Sequence, residues 1–245
     1  MNPAAAPRLF CFPHAGGGAM AYNPWRAAFG SELEVCAVEL PGRGTRRREP
    51  LERDGRSLAA ALRREWAGWL DEPFALFGHS MGALLAFEVA QQLTAAGGPV
   101  PLALFLSGAA APHLPRTPIT ALPDAAFLAQ VRDFGGMPDD LFEEPSLMAH
   151  YTPILRADFA VLEGYRLRRA PLPDCPVHLF GGDRDHRITP SLVAAWRDVL
   201  PVATTTFLPG GHFYLIDQLA ALAAAIREVL VPAGRAAAGP ARRPA

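Results

Sequence analysis

The sequence contains no lysine; all 23 of its basic residues are arginine. This excludes reaction classes that need a primary amine: P-loop nucleotide hydrolysis, pyridoxal-phosphate Schiff bases, lysine aldolases and Ser–Lys hydrolases. Net charge is also nearly absent, with 24 acidic residues against 23 basic ones, so the chain lacks the strongly basic footprint of a nucleic-acid binder. Cysteine is scarce. Cys11, Cys36 and Cys175 are odd in number and show no CxxC spacing, which predicts neither a disulfide framework nor a zinc or other metal site. Cys11 and Cys36 lie in apolar runs and read as small core residues. No run of about 18 apolar residues could span a bilayer, and the N-terminus lacks the basic-then-apolar pattern of a secretory signal. These absences point to a cytoplasmic protein without a membrane segment.

What is present is a globular composition, 50% hydrophobic and 19% charged over 245 residues, enough for one large domain. Short apolar runs alternate with longer amphipathic stretches, the pattern of a parallel α/β sheet. Strands are expected at Arg8–Phe12, Glu34–Leu40, Phe74–Phe77, Leu102–Leu106, Val177–Phe180 and Thr204–Leu208. One helix places Leu58, Leu62, Trp66 and Trp69 on its apolar face and Arg63, Arg64 and Glu65 opposite. The stretch from Gly82 to Ala96 is apolar nearly all round and suits a buried helix, and Leu215–Leu230 reads as a closing helix.

The alternation breaks once, over the 66 residues from Ala111 to Pro176. That is too long for a structureless loop. Helices are expected there at Asp124–Phe134, Asp139–His150 and Ile154–Arg166, forming a lid over the ligand-binding edge of the sheet or, less economically, a remote subdomain. The expected organisation is one domain over residues 1–230, including a lid at 112–172, followed by a disordered tail at 231–245.

Gly78-His79-Ser80-Met81-Gly82 follows an apolar strand and precedes a helix, the setting of a GxSxG nucleophile elbow. The small glycines let the serine occupy a strained turn, and its hydroxyl then sits at a helix N-terminus, where partial positive charge favours an oxyanion. A serine nucleophile needs a base, and the base needs an orienting acid. His212, in Pro209-Gly210-Gly211-His212-Phe213, occupies a Gly-rich turn between the last strand and last helix. His14 and His79 read as packing or positioning residues, while His113, His150 and His178 carry no site signal; His186 adjoins the candidate acid. That acid should lie at a strand end between serine and histidine. Ser107–Pro112 offers no carboxylate, whereas Gly181-Gly182-Asp183-Arg184-Asp185 offers two. Asp185 is preferred, because Gly-x-x-Asp lets the chain turn back under the histidine; Asp183 is the alternative. The oxyanion donors are expected to be the backbone N–H groups of Met81 and of Ala15, the latter in the Gly-rich loop Pro13–Gly18. The densest cationic cluster, Pro41–Arg48, is either a solvated loop or an attractor for an acidic or phosphorylated partner.

FPHAGGG, ELPGRG, FGHSMGALLAFEVA, LFLSG, Arg156-Ala157-Asp158, GGDRD and PGGHFYL together resemble the type II thioesterases of polyketide and nonribosomal peptide synthesis, from about Leu9 to Leu230. The resemblance implies an α/β-hydrolase fold with a mostly parallel central sheet, flanking helices and a helical lid. It implies a Ser80–His212–Asp185 triad with Ala15 and Met81 as oxyanion donors. It further implies hydrolysis of stalled or wrong acyl groups from the phosphopantetheine arm of acyl or peptidyl carrier proteins, with no cofactor of the enzyme's own. Substrate contacts are expected at His14, Gly16, Phe127, Met137 and Phe213; Phe127 and Met137, with Leu128, Phe142 and Met148, read as chamber residues or as the lid's own core. A monomer is expected, with no nucleic-acid or membrane partner. The residues by themselves establish only a serine acyl hydrolase, so a carboxylesterase acting on free esters and a non-catalytic binding module on the same scaffold remain alternatives.

Overall fold

Successive strand side chains point to opposite faces of a sheet, and here both faces are apolar. In the computed structural model, which describes residues 6–237, the strands are β1 (Arg8–Phe12), β2 (Glu34–Ala37), β3 (Phe74–His79), β4 (Leu104–Ser107), β5 (Val177–Gly182) and β6 (Val202–Leu208). Phe10, Phe12, Phe74, Leu76, Leu104, Leu106, Val177 and Leu179 pack on one face. Leu9, Cys11, Ala75, Phe77, Phe105 and Phe180 pack on the other. A sheet buried on both sides needs helices on both sides. The first face is covered by α2 (Gly55–Glu65), α3 (Met81–Ala95) and α6 (Pro190–Ala194), and the second by α1 (Asn23–Phe29) and α8 (Leu219–Ala237), which follows the short α7 (Tyr214–Asp217).

The strand order is β2-β1-β3-β4-β5-β6 and every pairing is parallel. The chain moves outward from β1 to β2, then returns to place β3 on the other side of β1. In an open parallel sheet, ligands bind outside the carboxyl ends of the strands at such a reversal. The loop after β1 and the turn after β3 flank that crevice.

Between β4 and β5 the insertion forms α4 (Asp124–Phe134), a short 3-10 turn at Asp139–Glu143 and the 20-residue α5 (Pro145–Gly164). Pro153 reads as a break and predicts two separate helices, but α5 runs through it. Proline removes one backbone donor from a helix interior, yet Ile154, Leu155, Ala157, Asp158 and Val161 are buried beyond it, and that packing carries the helix on. Arg156 fastens α5 to the start of α4 through the Leu122 carbonyl at 2.8 Å and Asp124 Oδ1 at 2.6 Å.

Two further expectations are corrected. Trp69 is 53% exposed, because α2 ends at Glu65 and leaves the indole outside the helical face, beneath the Arg8 guanidinium. The tail expected from Val231 is helical as far as Ala237, since α8 continues past Pro232 in alanine-rich sequence; residues 238–245 lie outside the described chain. Among the described residues, no helix is long and apolar enough to cross a membrane.

Candidate active site

Ser80 is the only non-glycine described residue with positive φ, at φ 55° and ψ −117°. Holding an L-residue there costs energy that the surroundings must offset. They do so through the Ser80 N–H, which donates to the Ser107 carbonyl at 2.8 Å, and through the flanking glycines. A Cβ on Gly78 would overlap the Gly82 carbonyl, and one on Gly82 would overlap the Phe12 carbonyl. The turn therefore presses against both α3 and β1, with Ser80 capping the N-terminus of the 15-residue α3.

His212 follows β6 and Asp185 follows β5. Ser80 Oγ lies 3.0 Å from His212 Nε2, and His212 Nδ1 lies 2.7 Å from Asp185 Oδ2. The second oxygen of Asp185 accepts the N–H groups of Arg187 at 2.9 Å and Ile188 at 2.8 Å. Burial pushes the Asp185 carboxyl up, but the His212 contact and the two backbone donors outweigh it and hold the group below its ordinary value. The acid is thus ionised and faces the imidazole nitrogen opposite the one facing serine. The structure brings Ser80, His212 and Asp185 together in the order that proton transfer requires. Asp183 is elsewhere: half-exposed, it accepts the Gly210 N–H at 2.9 Å and shapes the turn that presents His212.

Two more histidines surround this relay. His79 is fully buried, its Nδ1 2.8 Å from Ser107 Oγ, which in turn lies 2.6 Å from the Tyr214 hydroxyl. Burial, with His212 and His14 nearby, pushes its pKa well down, so it is neutral. His14 sits edge-on to Phe213 with ring centroids 4.8 Å apart. Burial, reinforced by His212 and Arg43, lowers it to about 4. His14 and His79 thus present neutral rings around His212.

Met81 is the first residue of α3, so its N–H has no acceptor within the helix. In the loop after β1, the Gly17 N–H closes a turn on the His14 carbonyl at 2.9 Å, and the Gly16 N–H donates to Asp158 Oδ2 at 2.7 Å. Among the described residues the Ala15 N–H donates to no protein group. Met81 and Ala15 thus supply two unclaimed donors beside Ser80.

A cavity of about 440 Å³ opens above the serine. Ser80, His212, His14, Ala15 and Phe213 border it on the catalytic side. Gln130, Val131 and Phe134 of α4, Phe159 and Leu162 of α5, Leu84 of α3 and Leu192 of α6 form much of the remainder. Of the expected substrate contacts, His14 and Phe213 line this space, while Gly16, Phe127 and Met137 do not. The Gly16 N–H is committed to Asp158. Phe127 is fully buried with Ile119, Val131 and Leu155 in the lid's own core, and Met137 lies beyond the Gly135–Gly136 turn that ends α4. Leu128, Phe142 and Met148 are likewise absent from the wall. The α4 residues missed, Gln130, Val131 and Phe134, lie one to two helical turns beyond Phe127, and those missed on α5 include Phe159 and Leu162; the i, i+3 spacing is readable in the sequence, but not which face meets the cavity. The acid loop also grips the lid, since Arg187 contacts Asp133 Oδ2 at 3.1 Å and lies over the Phe134 ring. Among the described residues no His, Cys, Asp and Glu cluster is arranged to hold a metal ion.

Comparison with known proteins identifies the family. The family model for the thioesterase domain matches residues 7–230. The gramicidin S biosynthesis protein GrsT of Aneurinibacillus migulanus is 36% identical over 89% of this chain and 86% of its own length. The human medium-chain S-acyl fatty acid synthase thioesterase is 34% identical over 88% of this chain and 83% of its own. Among solved structures, the RedJ thioesterase from the prodiginine pathway of Streptomyces coelicolor superposes with a TM-score of 0.84 at 40% identity, covering 91% of this chain and 92% of that one. A non-heme bromoperoxidase fold from Mycobacterium tuberculosis, at 18% identity and a TM-score of 0.69, shares the architecture alone. The chain belongs to the thioesterase-domain family of α/β-hydrolases.

Proposed function

We propose that this protein is an editing thioesterase, hydrolysing acyl groups from the phosphopantetheine arm of carrier-protein domains in polyketide or nonribosomal peptide synthesis. The observation that carries the reading is the Ser80–His212–Asp185 relay, 3.0 and 2.7 Å between successive groups, at the wall of a largely apolar cavity beneath the lid. The pathway assignment is supported by relatives named for gramicidin S and prodiginine biosynthesis.

In this reading His212 Nε2 takes the proton from Ser80 Oγ as the oxygen attacks the thioester carbonyl. Asp185 holds the Nδ1 proton and stabilises the imidazolium. The Ala15 and Met81 N–H groups receive the carbonyl oxygen as it becomes anionic, each donor being worth roughly 2.7–4 kcal/mol. His212 returns the proton to the departing thiolate. A water, deprotonated by the same imidazole, then cleaves the acyl-serine ester and releases the acid. The enzyme needs no cofactor of its own, because the arm arrives on the carrier domain, and it works as a cytoplasmic monomer.

Mass spectrometry of carrier domains loaded with different acyl groups tests the reading. Release of acyl mass by the wild type and not by Ser80→Ala is expected. Faster turnover of matched oxygen esters than of acyl-carrier thioesters would replace it with a carboxylesterase.

A further inference from the structure

We propose that Asp158, acting with Arg43, is a positioning residue for the oxyanion hole, one that works from the lid; the inference rests on the acyl-hydrolase reading of the site. Asp158 lies in the second half of α5 and is 2% exposed; Arg43, in the loop after β2, is 7% exposed. Their contact is a two-pronged fork, Nη1 to Oδ2 at 2.6 Å and Nη2 to Oδ1 at 2.7 Å. Neither residue lines the cavity, so neither touches substrate. Both hold the loop that does.

Asp158 Oδ2 accepts the Gly16 N–H at 2.7 Å, and Arg43 Nη1 donates to the Gly17 carbonyl at 3.1 Å. A peptide unit is planar and trans, so fixing the Gly16 N–H fixes the Ala15 carbonyl with it. On the other side of Ala15, the His14 carbonyl accepts the Gly17 N–H at 2.9 Å, and that carbonyl shares its plane with the Ala15 N–H. The two planes flanking the Ala15 Cα are therefore both tied down. One is held directly by the ion pair, and the other through Gly17, whose carbonyl the pair also holds. Gly16 adopts φ +78°, a region its neighbours must select, since glycine by itself visits it no more readily than its mirror image. The result is an Ala15 N–H aimed by a carboxylate more than 140 residues away in sequence.

A buried ion pair is a poor source of net stability, because desolvation offsets the attraction. Its direction is what an apolar contact would not supply. A bidentate Arg–carboxylate fork fixes angle as well as distance, and the donors of an oxyanion hole act only when correctly aimed before the reaction.

The experiment compares wild type, Asp158→Asn, Arg43→Lys and the double variant Arg43→Met/Asp158→Leu. Each is assayed for kcat and KM on a small acyl-thiol substrate and for affinity toward a trifluoromethyl ketone, which adds to serine and creates an oxyanion, and toward its unreactive methylene analogue. Labelling of Ser80 by a fluorophosphonate is followed in parallel, because it reports the hole whatever the natural acyl group. For Asp158→Asn we expect kcat to fall about 10- to 100-fold with KM within about threefold. Trifluoromethyl ketone affinity and labelling rate should fall comparably, with the methylene analogue unaffected. The double variant should regain thermal stability without regaining kcat. The proposal is overturned if the double variant recovers activity along with stability, or if losses merely track the folded fraction. It is also overturned if KM absorbs the whole effect while ketone affinity holds. Should the double variant not fold, Arg43→Lys, which keeps the charge but not the fork, decides by the same kcat and ketone readouts. Loss of the thioesterase reading would appear differently, as wild type inert toward thioesters while Ser80 labelling stayed sensitive to Asp158.

Discussion

His212 and Asp185 meet at 2.7 Å with their side chains 3% and 1% exposed, sheltered from water and from competing donors. The carboxylate is occupied on its other oxygen by two backbone N–H groups, so it is fixed before it fixes the imidazole. Asp185→Asn should therefore keep the fold but favour the wrong tautomer, lowering kcat by about 10³–10⁴-fold. Asp183→Asn, which alters a half-exposed turn contact and an exposed ion pair with Arg184, should stay within a few-fold of wild type. Steady-state kinetics of the pair checks the assignment of the acid, and equal losses would reverse it.

Ser80 carries backbone strain imposed by the tight turn between β3 and α3. Glycine relieves that strain and alanine does not, so both variants should be inactive while Ser80→Gly unfolds at higher denaturant than Ser80→Ala. The expected gap is about 1 kcal/mol, strain relief of about 1–3 kcal/mol less glycine's entropic cost of about 0.5–1 kcal/mol. Urea titration of the two proteins measures it, and alanine proving the more stable would refute it.

His14 titrates near 4 in the folded chain against an ordinary value of 6.5. Between those values the unfolded chain binds a proton that the folded one refuses, so stability falls as pH drops from about 6.5 towards 4 and this contribution then levels off. His79, also depressed by burial, acts in the same direction. Asp185 has the opposite charge type: its contribution persists above its ordinary carboxyl value and is lost only as pH falls through its lowered one. His14→Gln should flatten the dependence of the urea midpoint on pH across 4–6.5, and an unchanged slope would rule out His14 as its source.

Phe159 and Leu162 stand on the α5 face that bounds the cavity. Phe159→Ala should admit longer acyl chains, raising their kcat/KM relative to short ones by about tenfold, in line with about 1–3 kcal/mol per methylene in an apolar pocket. Phe127→Ala, confined to the lid core, should instead destabilise by about 3–5 kcal/mol without changing the preference. A homologous thioester series, read beside thermal melts, separates the two.

Much of the fold and site is legible in the sequence because local chemistry dictates it. β1 and α4 begin and end where periodicity places them, Ser80 sits where two obligatory glycines put it, and Asp185 lies on the turn that the Gly-x-x-Asp spacing suggests. What is not legible depends on which surfaces meet. Periodicity marks Phe127 and Phe134 alike as apolar residues of α4, but not that one faces Leu155 and the other the cavity. Pro153 is a local veto that burial of the following turn overrides. The links of the His79–Ser107–Tyr214 chain span 28 and 107 positions, and no neighbouring pattern announces them. Arg43 reads as one member of a cationic cluster, and only the fold sets Asp158 opposite it.

That last contact sets a rule for grafting. Because the arginine belongs to the body and the aspartate to the cap, a chimera that imports the cap from a relative inherits half of an electrostatic joint. Unless both halves travel together, the transplant leaves a charge sealed from solvent without its counterion, and altered selectivity in such hybrids would be confounded by a misdirected backbone amide at the reaction centre.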